Sequence, residues 1–534
     1  MLGTLSLSNG QRTVMNHADC FVKVASMKAA EHTTTPISNP RLSKSKFLAG
    51  LQCQKRVYLE VHHPNWASPP DPSLQAVLDM GTEIGALARS RFPGGILIEE
   101  SYRQREAALA HTASVSADPA TSAIFEGAFE HDGVLVRVDI LERIGGTDGT
   151  SHSWRLIEVK SSSRVKDVHL NDLAIQSEVL HGAGLTLSAI GLMHINTDYG
   201  YDGGEIDLHR LFAIVDVTDA VTLRRTEVPA QVAAMKAVLR QNTPPAVEPG
   251  HHCHSPYECP FWDHCTKDKP ARWIFHLPGS KQVVSRLVEQ GITTIDEIPE
   301  DTTLTVPQRR VKDNVEWISS SLGTALRTIR YPVHHVDFET VMLAVPRFPA
   351  TRPYQSIPVQ WSNHIEEESG SLTHHEFLHA EPTEPRKQWA EALIESLGTH
   401  GSICVYSAYE GAMMRQLAEA FPEFRSAFHA ILKRLWDLHP LIKDHYYHPA
   451  FNGSYSIKSV LPAVTPSLGY GDLAIQAGGQ AAAEYYRMVF VETDWVERAE
   501  IKDALLRYCA RDTMALVELR RVLKEKAGGK GRTE

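Results

Sequence analysis

Residues 134–163 read VLVRVDILERIGGTDGTSHSWRLIEVKSSS, and the reading of this stretch decides the fold. VLVRVDIL alternates apolar and polar residues, as a half-buried strand does, and WRLIEVK repeats the alternation after a Gly-rich loop. Asp139 lies at the end of the first run; Glu158 and Lys160 end the second. Side chains alternate faces along a strand, so Glu158 and Lys160 point the same way. The hairpin then gathers two carboxylates and one ammonium at one end. Unpartnered carboxylates about 4 Å apart repel by about 4 kcal/mol at an effective dielectric of about 20. A divalent cation removes that cost, and Mg²⁺ favours one or two carboxylates plus water and phosphate oxygens. A lysine beside it can orient the attacking water or stabilise charge on phosphate. Taken alone, such a pair also fits a solvated strand face.

The rest of the chain frames this hairpin. Its 534 residues, 43% hydrophobic and 22% charged, suit a globular protein of two or three domains. A formal charge of −10 argues against capture of nucleic acid by the whole surface and leaves room for a local basic channel. No apolar run approaches the roughly 20 residues of a membrane span, and no secretory signal is legible. Seven cysteines in such a chain point to a reducing, cytoplasmic setting and to metal or catalytic roles rather than disulfides.

The Asp139…Glu158-x-Lys160 pattern resembles the PD-(D/E)XK nucleases, and within them the RecB-like branch. The resemblance implies a restriction-endonuclease-like mixed α/β sheet domain over 41–270, after a poorly ordered extension at 1–40. It also implies a Gln-x-x-x-Tyr motif on the next helix. VHLNDLAIQSEVLHGAGL supplies Gln176 but places Leu180 at the tyrosine position. LSKSKFLAGLQCQKRVYLEVH, ahead of the hairpin, reads as one amphipathic helix with Cys53 in its middle. Its Lys44, Lys46, Lys55 and Arg56 fit either a solvated face or a phosphate-tracking patch. Glu83, on a second helix, reads either as an extra acidic ligand or as a surface carboxylate.

HHCHSPYECPFWDHC holds Cys253, Cys259 and Cys265 in a compact, Pro-kinked loop. Three thiols so spaced can face one centre, and Cys53 is the candidate for the fourth. Thiolates bind zinc or an iron–sulfur cluster. RecB-like nucleases with a cluster, such as AddB-type and CRISPR-associated exonucleases, are similar in using one upstream cysteine and three near the domain's end. That similarity implies a 4Fe–4S cluster. Zinc, with His251, His252, His254 or His264 as a ligand, is the alternative.

A helical linker is expected over 271–330, where SRLVEQGITTIDEIP resembles helix–Gly–helix elements able to touch phosphates. A new pattern starts near Tyr331. YPVHHVDFETVM is a strand whose Asp337 and Glu339 share one face. SICVYSAYEGAMMRQLAEAF runs from strand to helix with Glu410 at the junction, and LWDLHPLI carries Asp437. EIKDALLRYCARDTMALVELRRVLKEK is a long last helix on which Tyr508 and Asp512 share a face.

This region resembles the RNase H-like 3′–5′ exonucleases of the DEDD class. Asp337-x-Glu339 matches the first motif and Tyr508-x₃-Asp512 the third, in its tyrosine form; Ser407 and Glu410 stand where the second normally offers Asn and Asp, with Asp437 in reserve. The resemblance implies an RNase H-like α/β domain over 331–526, two Mg²⁺ or Mn²⁺ ions on these acids, and a flexible tail over 527–534. RPYQSIPVQWS, GSYSIKSVLPAV and YCARDTMALVELRRVL further resemble an uncharacterised domain found behind RecB-like nucleases. Lys458, within the second of these, reads as a phosphate contact or a surface lysine. The expected activity is metal-dependent hydrolysis of DNA in repair, recombination or defence, with RNA processing or a nucleic-acid-binding scaffold as alternatives. A helicase partner is open, and no membrane partner is expected.

Overall fold

A computed structural model describes residues 40–70, 72–145, 153–491 and 493–528. The expected extension, apart from Pro40, lies outside the described residues, as do 146–152 of the Gly-rich loop and the tail beyond 528. The molecule is a mixed α/β protein with two large sheets. Among the described residues, no helix is long and apolar enough to cross a membrane.

The first sheet holds β1 (Leu42–Ser43), β2 (Ile96–Leu97), β3 (Ala123–His131), β4 (Val134–Ile144), β5 (Ser153–Lys160), β6 (Leu187–Ile195) and β7 (Phe212–Asp216). The order is β2-β3-β4-β5-β6-β7, with β1 beside β4. Asp132 and Gly133, both at positive φ, close β3 and β4 into a two-residue hairpin whose twist suits the flanking strands. β5 and β6 are parallel, so a crossover must join them, and the helix Asp167–Gly182 provides it. Val134, Val136 and Val138 are buried with Leu156 against Leu173, Val179 and Leu180 of that helix. The absent motif tyrosine is thus a core leucine here. Ile140, Ile157 and Met193 pack into a second core with Ile84 of the helix Pro72–Arg89.

The single helix expected across LSKSKFLAGLQCQKRVYLEVH is two helices, Lys44–Gln52 and Gln54–His62. Cys53 sits between them in extended conformation, φ −161° and ψ 122°, and its N–H caps the first helix at Ala49 O. The break turns the thiol out of the helical register.

The segment 271–330 contains the helices Lys281–Glu289, Val306–Asp313 and Leu322–Leu326 and the short strand β8 (Trp317–Ile318). It is more than a linker: Ile274, Leu277, Val284 and Leu287 share one core with Tyr446, Tyr447, Leu516 and Leu519. Arg272, Arg309 and Lys312, among its bases, are paired with Asp296 or Glu300.

The second sheet holds β9 (Val333–Met342), β10 (Ser356–Glu366), β11 (Leu372–Leu378), β12 (Ser402–Val405) and β13 (Leu435–Asp437), in the order β11-β10-β9-β12-β13. β14 (Tyr446–Tyr447) pairs with β8. Val336 and Phe338 face the helix Arg386–Leu397, whose Trp389 is fully buried. The alternate residues of β9, Asp337 and Glu339 among them, face the helix Trp495–Gly528. Glu83 joins no acidic trio among the described residues: it receives Arg347 at 2.6 Å and the Tyr486 hydroxyl at 2.6 Å, and so clasps the helix beside the first sheet to the second half.

Candidate functional site

Two acidic centres and one thiol pocket emerge. In the first centre, strand pairing brings β4 against β5, and Asp139 Oδ2 accepts the Val159 N–H at 2.7 Å. Strand parity holds as expected: Lys160 Nζ lies 2.6 Å from Glu158 Oε1. Gln176 Nε2 donates to Glu158 Oε2 at 2.7 Å, so the helix after β5 does reach the acids. Two partners were not expected. Lys44 Nζ reaches the same Glu158 Oε1 at 2.8 Å, and Asp172 Oδ2 holds Lys160 at 2.7 Å. Asp172 lies one turn before Gln176 on the same helical face, a spacing that could have flagged it. Nothing in the local pattern singles out Lys44. Glu126 and Arg89 also line the cleft before Asp139, and Glu126 does so at a strained φ of 54°.

Charge within this centre is largely compensated. Burial works against ionisation of Glu158, yet Lys160 and Lys44 pull its carboxyl well below the usual carboxylate range. Burial, and then the Glu158 charge, pushes Asp139 up to about 7. Asp172 is raised for the same two reasons. Gln176 Oε1 is buried without a partner among the described residues, as an acceptor awaiting a water or a cation would be. Hard carboxylate donors plus this orphaned oxygen fit Mg²⁺ or Mn²⁺ at Asp139 and Glu158 once an ammonium is displaced.

The second centre is less compensated: its three acids form no ion pair among the described residues, although the Lys458 charge pulls on Glu339 and Asp512. Asp337 and Glu339 on β9 and Asp512 on the last helix offer carboxylate oxygens all within 4.8 Å of one another. Burial first, then repulsion from Asp512 and Glu339, drives Asp337 far above its ordinary value. Burial and Asp512 push Glu339 up to about 8, and burial raises Asp512 to about 6 against the pull of Tyr470, Lys458 and Tyr508. Three crowded acids with no ion pair among the described residues fit a hard divalent cation, whose charge would remove the repulsion. Glu410 does not join the trio. It is buried at the head of the helix Tyr409–Ala420, accepts the Ser407 hydroxyl at 3.2 Å, and is raised by burial to about 7. Asp437 is spent as the N-cap of the helix Leu438–His445, where it accepts the His439 N–H at 2.9 Å. Both acids expected as ligands therefore stand outside the closest group.

The tyrosine environment of Asp512 is richer than the sequence foretells. Tyr470, from the loop before the helix Gly478–Phe490, donates its hydroxyl to Asp512 Oδ1. Its ring centroid lies 6.1 Å from that of Tyr508. Lys458 is exposed yet engaged. Its ammonium donates to Gln476 O at 2.8 Å and stands over both rings, 5.6 Å from Tyr470 and 5.8 Å from Tyr508.

The four thiols expected to meet do so: Cys53, Cys253, Cys259 and Cys265 line one pocket with Arg56, Phe261 and Trp262. Gln52 fastens the first helix to the cysteine loop through His252 O at 2.8 Å and Tyr257 O at 2.7 Å. Burial pushes Cys259 up to about 11 and raises Cys253 and Cys265, so a bound cationic centre is what would hold them as thiolates. The acidic trio is the sole group of three ligating side chains within 4.8 Å among the described residues. His254 is turned to Glu258, and His264 stacks on Trp66. His252 lines the same pocket, its Nε2 3.6 Å from Cys253 Sγ, so the donor set fits either zinc or an iron–sulfur cluster.

Residues 334–456 match the family model described as a domain of unknown function (DUF2779). The match takes in Asp337, Glu339, Glu410 and Asp437 and ends just before Lys458, Tyr470, Tyr508 and Asp512. No curated protein matches the chain.

Proposed function

We propose that the protein is a metal-dependent nuclease that hydrolyses phosphodiester bonds of DNA, at single strands or ends. Its front half would be a RecB-like, restriction-endonuclease-like unit and its back half an RNase H-like exonuclease unit. The observation that carries this reading is the meeting of Asp337, Glu339 and Asp512 from two distant parts of the chain, crowded together with no ion pair among the described residues. Such a trio is costly to keep unless a cation uses it. A divalent ion bound there would acidify a water and draw charge from the phosphate.

The protein's own groups divide the remaining work. Asp337, Glu339 and Asp512 would hold the ion. Tyr470 and Tyr508 orient Asp512. Lys458, beside them, would take a phosphate oxygen. At the first centre Asp139 and Glu158 would bind the ion, Gln176 and Asp172 fix the geometry, and Lys160 would stabilise charge on the phosphate. The thiol pocket would hold a 4Fe–4S cluster that clips the front half together, joining Cys53 to a loop some two hundred residues later.

A second reading applies to the first centre alone. Two ammoniums already satisfy Glu158, which favours a unit that binds nucleic acid without cutting it.

Cleavage of end-labelled single-stranded DNA with Mg²⁺ or Mn²⁺, by protein purified without oxygen, tests both. Lys160→Ala and Asp512→Ala are each expected to remove a different part of the product ladder. If Lys160→Ala changes nothing, the binding reading takes the first centre. If wild type cuts neither DNA nor duplex but cuts RNA, the substrate is RNA; if it cuts none of them, the nuclease proposal is wrong.

A further inference from the structure

Lys44 is the unexpected member of the first centre, and its carrier helix ends in the thiol pocket. We propose that Lys44 is a positioning residue: a resident counter-ion that competes with the divalent cation for Glu158, held in place by a helix anchored at the thiol pocket. The proposal rests on the reading of Asp139 and Glu158 as a cation site.

Three observations support it. First, one oxygen of Glu158 is filled by two ammoniums of the protein itself. Oε1 receives Lys160 at 2.6 Å and Lys44 at 2.8 Å, and Oε2 receives Gln176 at 2.7 Å. A cation that takes Oε1 must displace an ammonium. Lys160 is the harder to move, because it sits on the same strand and is also held by Asp172 at 2.7 Å. Lys44 has only a longer second contact, 3.4 Å to Asp172.

Second, the position of Lys44 is dictated by the rest of its helix. Lys44 opens the helix Lys44–Gln52, capped by Ser43, whose hydroxyl accepts the Lys46 N–H at 3.3 Å. β1, just ahead of it, pairs with the strand that carries Asp139. Phe47 and Ala49 are buried, and Gly50 lies so tightly on Met235 that an added Cβ would stand 2.6 Å from its sulfur.

Third, the far end is tied to the cysteine loop. Gln52 bonds the carbonyls of His252 and Tyr257, and Cys53 lines the pocket. Nine helical residues rise about 13 Å, and a packed helix moves as a unit. A displacement at Gln52 and Cys53 is therefore felt at Lys44.

Mn²⁺ titration of full-length protein, followed by electron paramagnetic resonance, tests this. An Asp337→Asn/Asp512→Asn background silences the second centre. Lys44→Met is expected to bind Mn²⁺ about tenfold tighter than that background, because a competing charge is gone. Lys44→Arg, which keeps the charge, is expected to stay near the parent. Gln52→Ala, which cuts the tie, is expected to shift affinity the same way as Lys44→Met and to add nothing to it in the double variant. A protein that merely unfolds loses Mn²⁺ rather than gaining it. Unchanged or weaker binding by Lys44→Met, with an unchanged thermal melt, overturns the competition; an unchanged Gln52→Ala overturns the tie. If neither parent nor Lys44→Met binds Mn²⁺, the cation site itself is refuted and this proposal with it.

Discussion

Lys160 and Asp172 meet at 2.7 Å, and that contact marks the difference between the two acidic centres. In the first, Lys160 and Lys44 offset the charges of Glu158 and Asp172. In the second, Asp337, Glu339 and Asp512 face each other without an ion pair among the described residues. The same kind of residue is thus held in opposite electrostatic states, and different behaviour follows.

Neutralising an acid of the second centre should stabilise the metal-free protein. Asp337→Asn and Glu339→Gln each remove a crowded, repelled carboxylate, and each should raise the melting temperature in the presence of chelator by a few degrees. The same variants should lose the stabilisation that Mg²⁺ confers on wild type. Calorimetric scans with and without Mg²⁺ check both effects. A drop in melting temperature with chelator would contradict the assignment.

Stability of the metal-free protein should fall as pH rises. Glu339 is raised from 4.5 to about 8, Glu410 from 4.5 to about 7 and Asp512 from 3.8 to about 6. Between the ordinary and the raised values the folded state binds more protons than the unfolded state, so the slope is negative. The contribution is fully present below about pH 4 and is gone above about pH 8. Urea midpoints across that window, with other groups' contributions removed by comparison with Glu339→Gln, should show the loss. Saturating Mg²⁺ should flatten it.

Lys458 should matter to turnover and not to folding. Lys458→Met removes the ammonium that stands over Tyr470 and Tyr508. Cleavage by the second centre is expected to fall about 10²-fold or more, by loss of charge stabilisation. Mn²⁺ affinity should hold or rise, since a like charge has left. Parallel rate and Mn²⁺-binding measurements separate this from simple damage.

The thiol pocket should carry metal as a unit. Cys53→Ser and Cys259→Ser come from opposite ends of the front half, yet each is expected to strip the bound centre. Metal analysis of anaerobically purified protein should find iron and sulfide; stoichiometric zinc without iron would favour the zinc alternative.

Gly401 should not tolerate a side chain. It lies at φ +81°, and an added Cβ would stand 1.9 Å from Pro332 O. Gly401→Ala is expected to cost roughly 2–4 kcal/mol, readable as a lower urea midpoint. The loop there leads into β12, beside the strand that bears Asp337.

Much of this molecule is legible in local pattern. Two-residue periodicity placed Glu158 with Lys160 and Asp337 with Glu339, and helical spacing placed Tyr508 with Asp512, because backbone geometry alone sets which neighbours share a face. The density of Cys253, Cys259 and Cys265 in one loop marked a thiol site, and Cys53, the candidate for its fourth member, lines the same pocket. What the tertiary structure decided is which distant residues arrive. Lys44 and Asp172 complete the first centre, Tyr470 and Lys458 the second. None of these pairings has a period. They depend on how the sheets and helices cross in space, and so does the balance of charge that separates an acidic centre held by ion pairs from one of crowded acids.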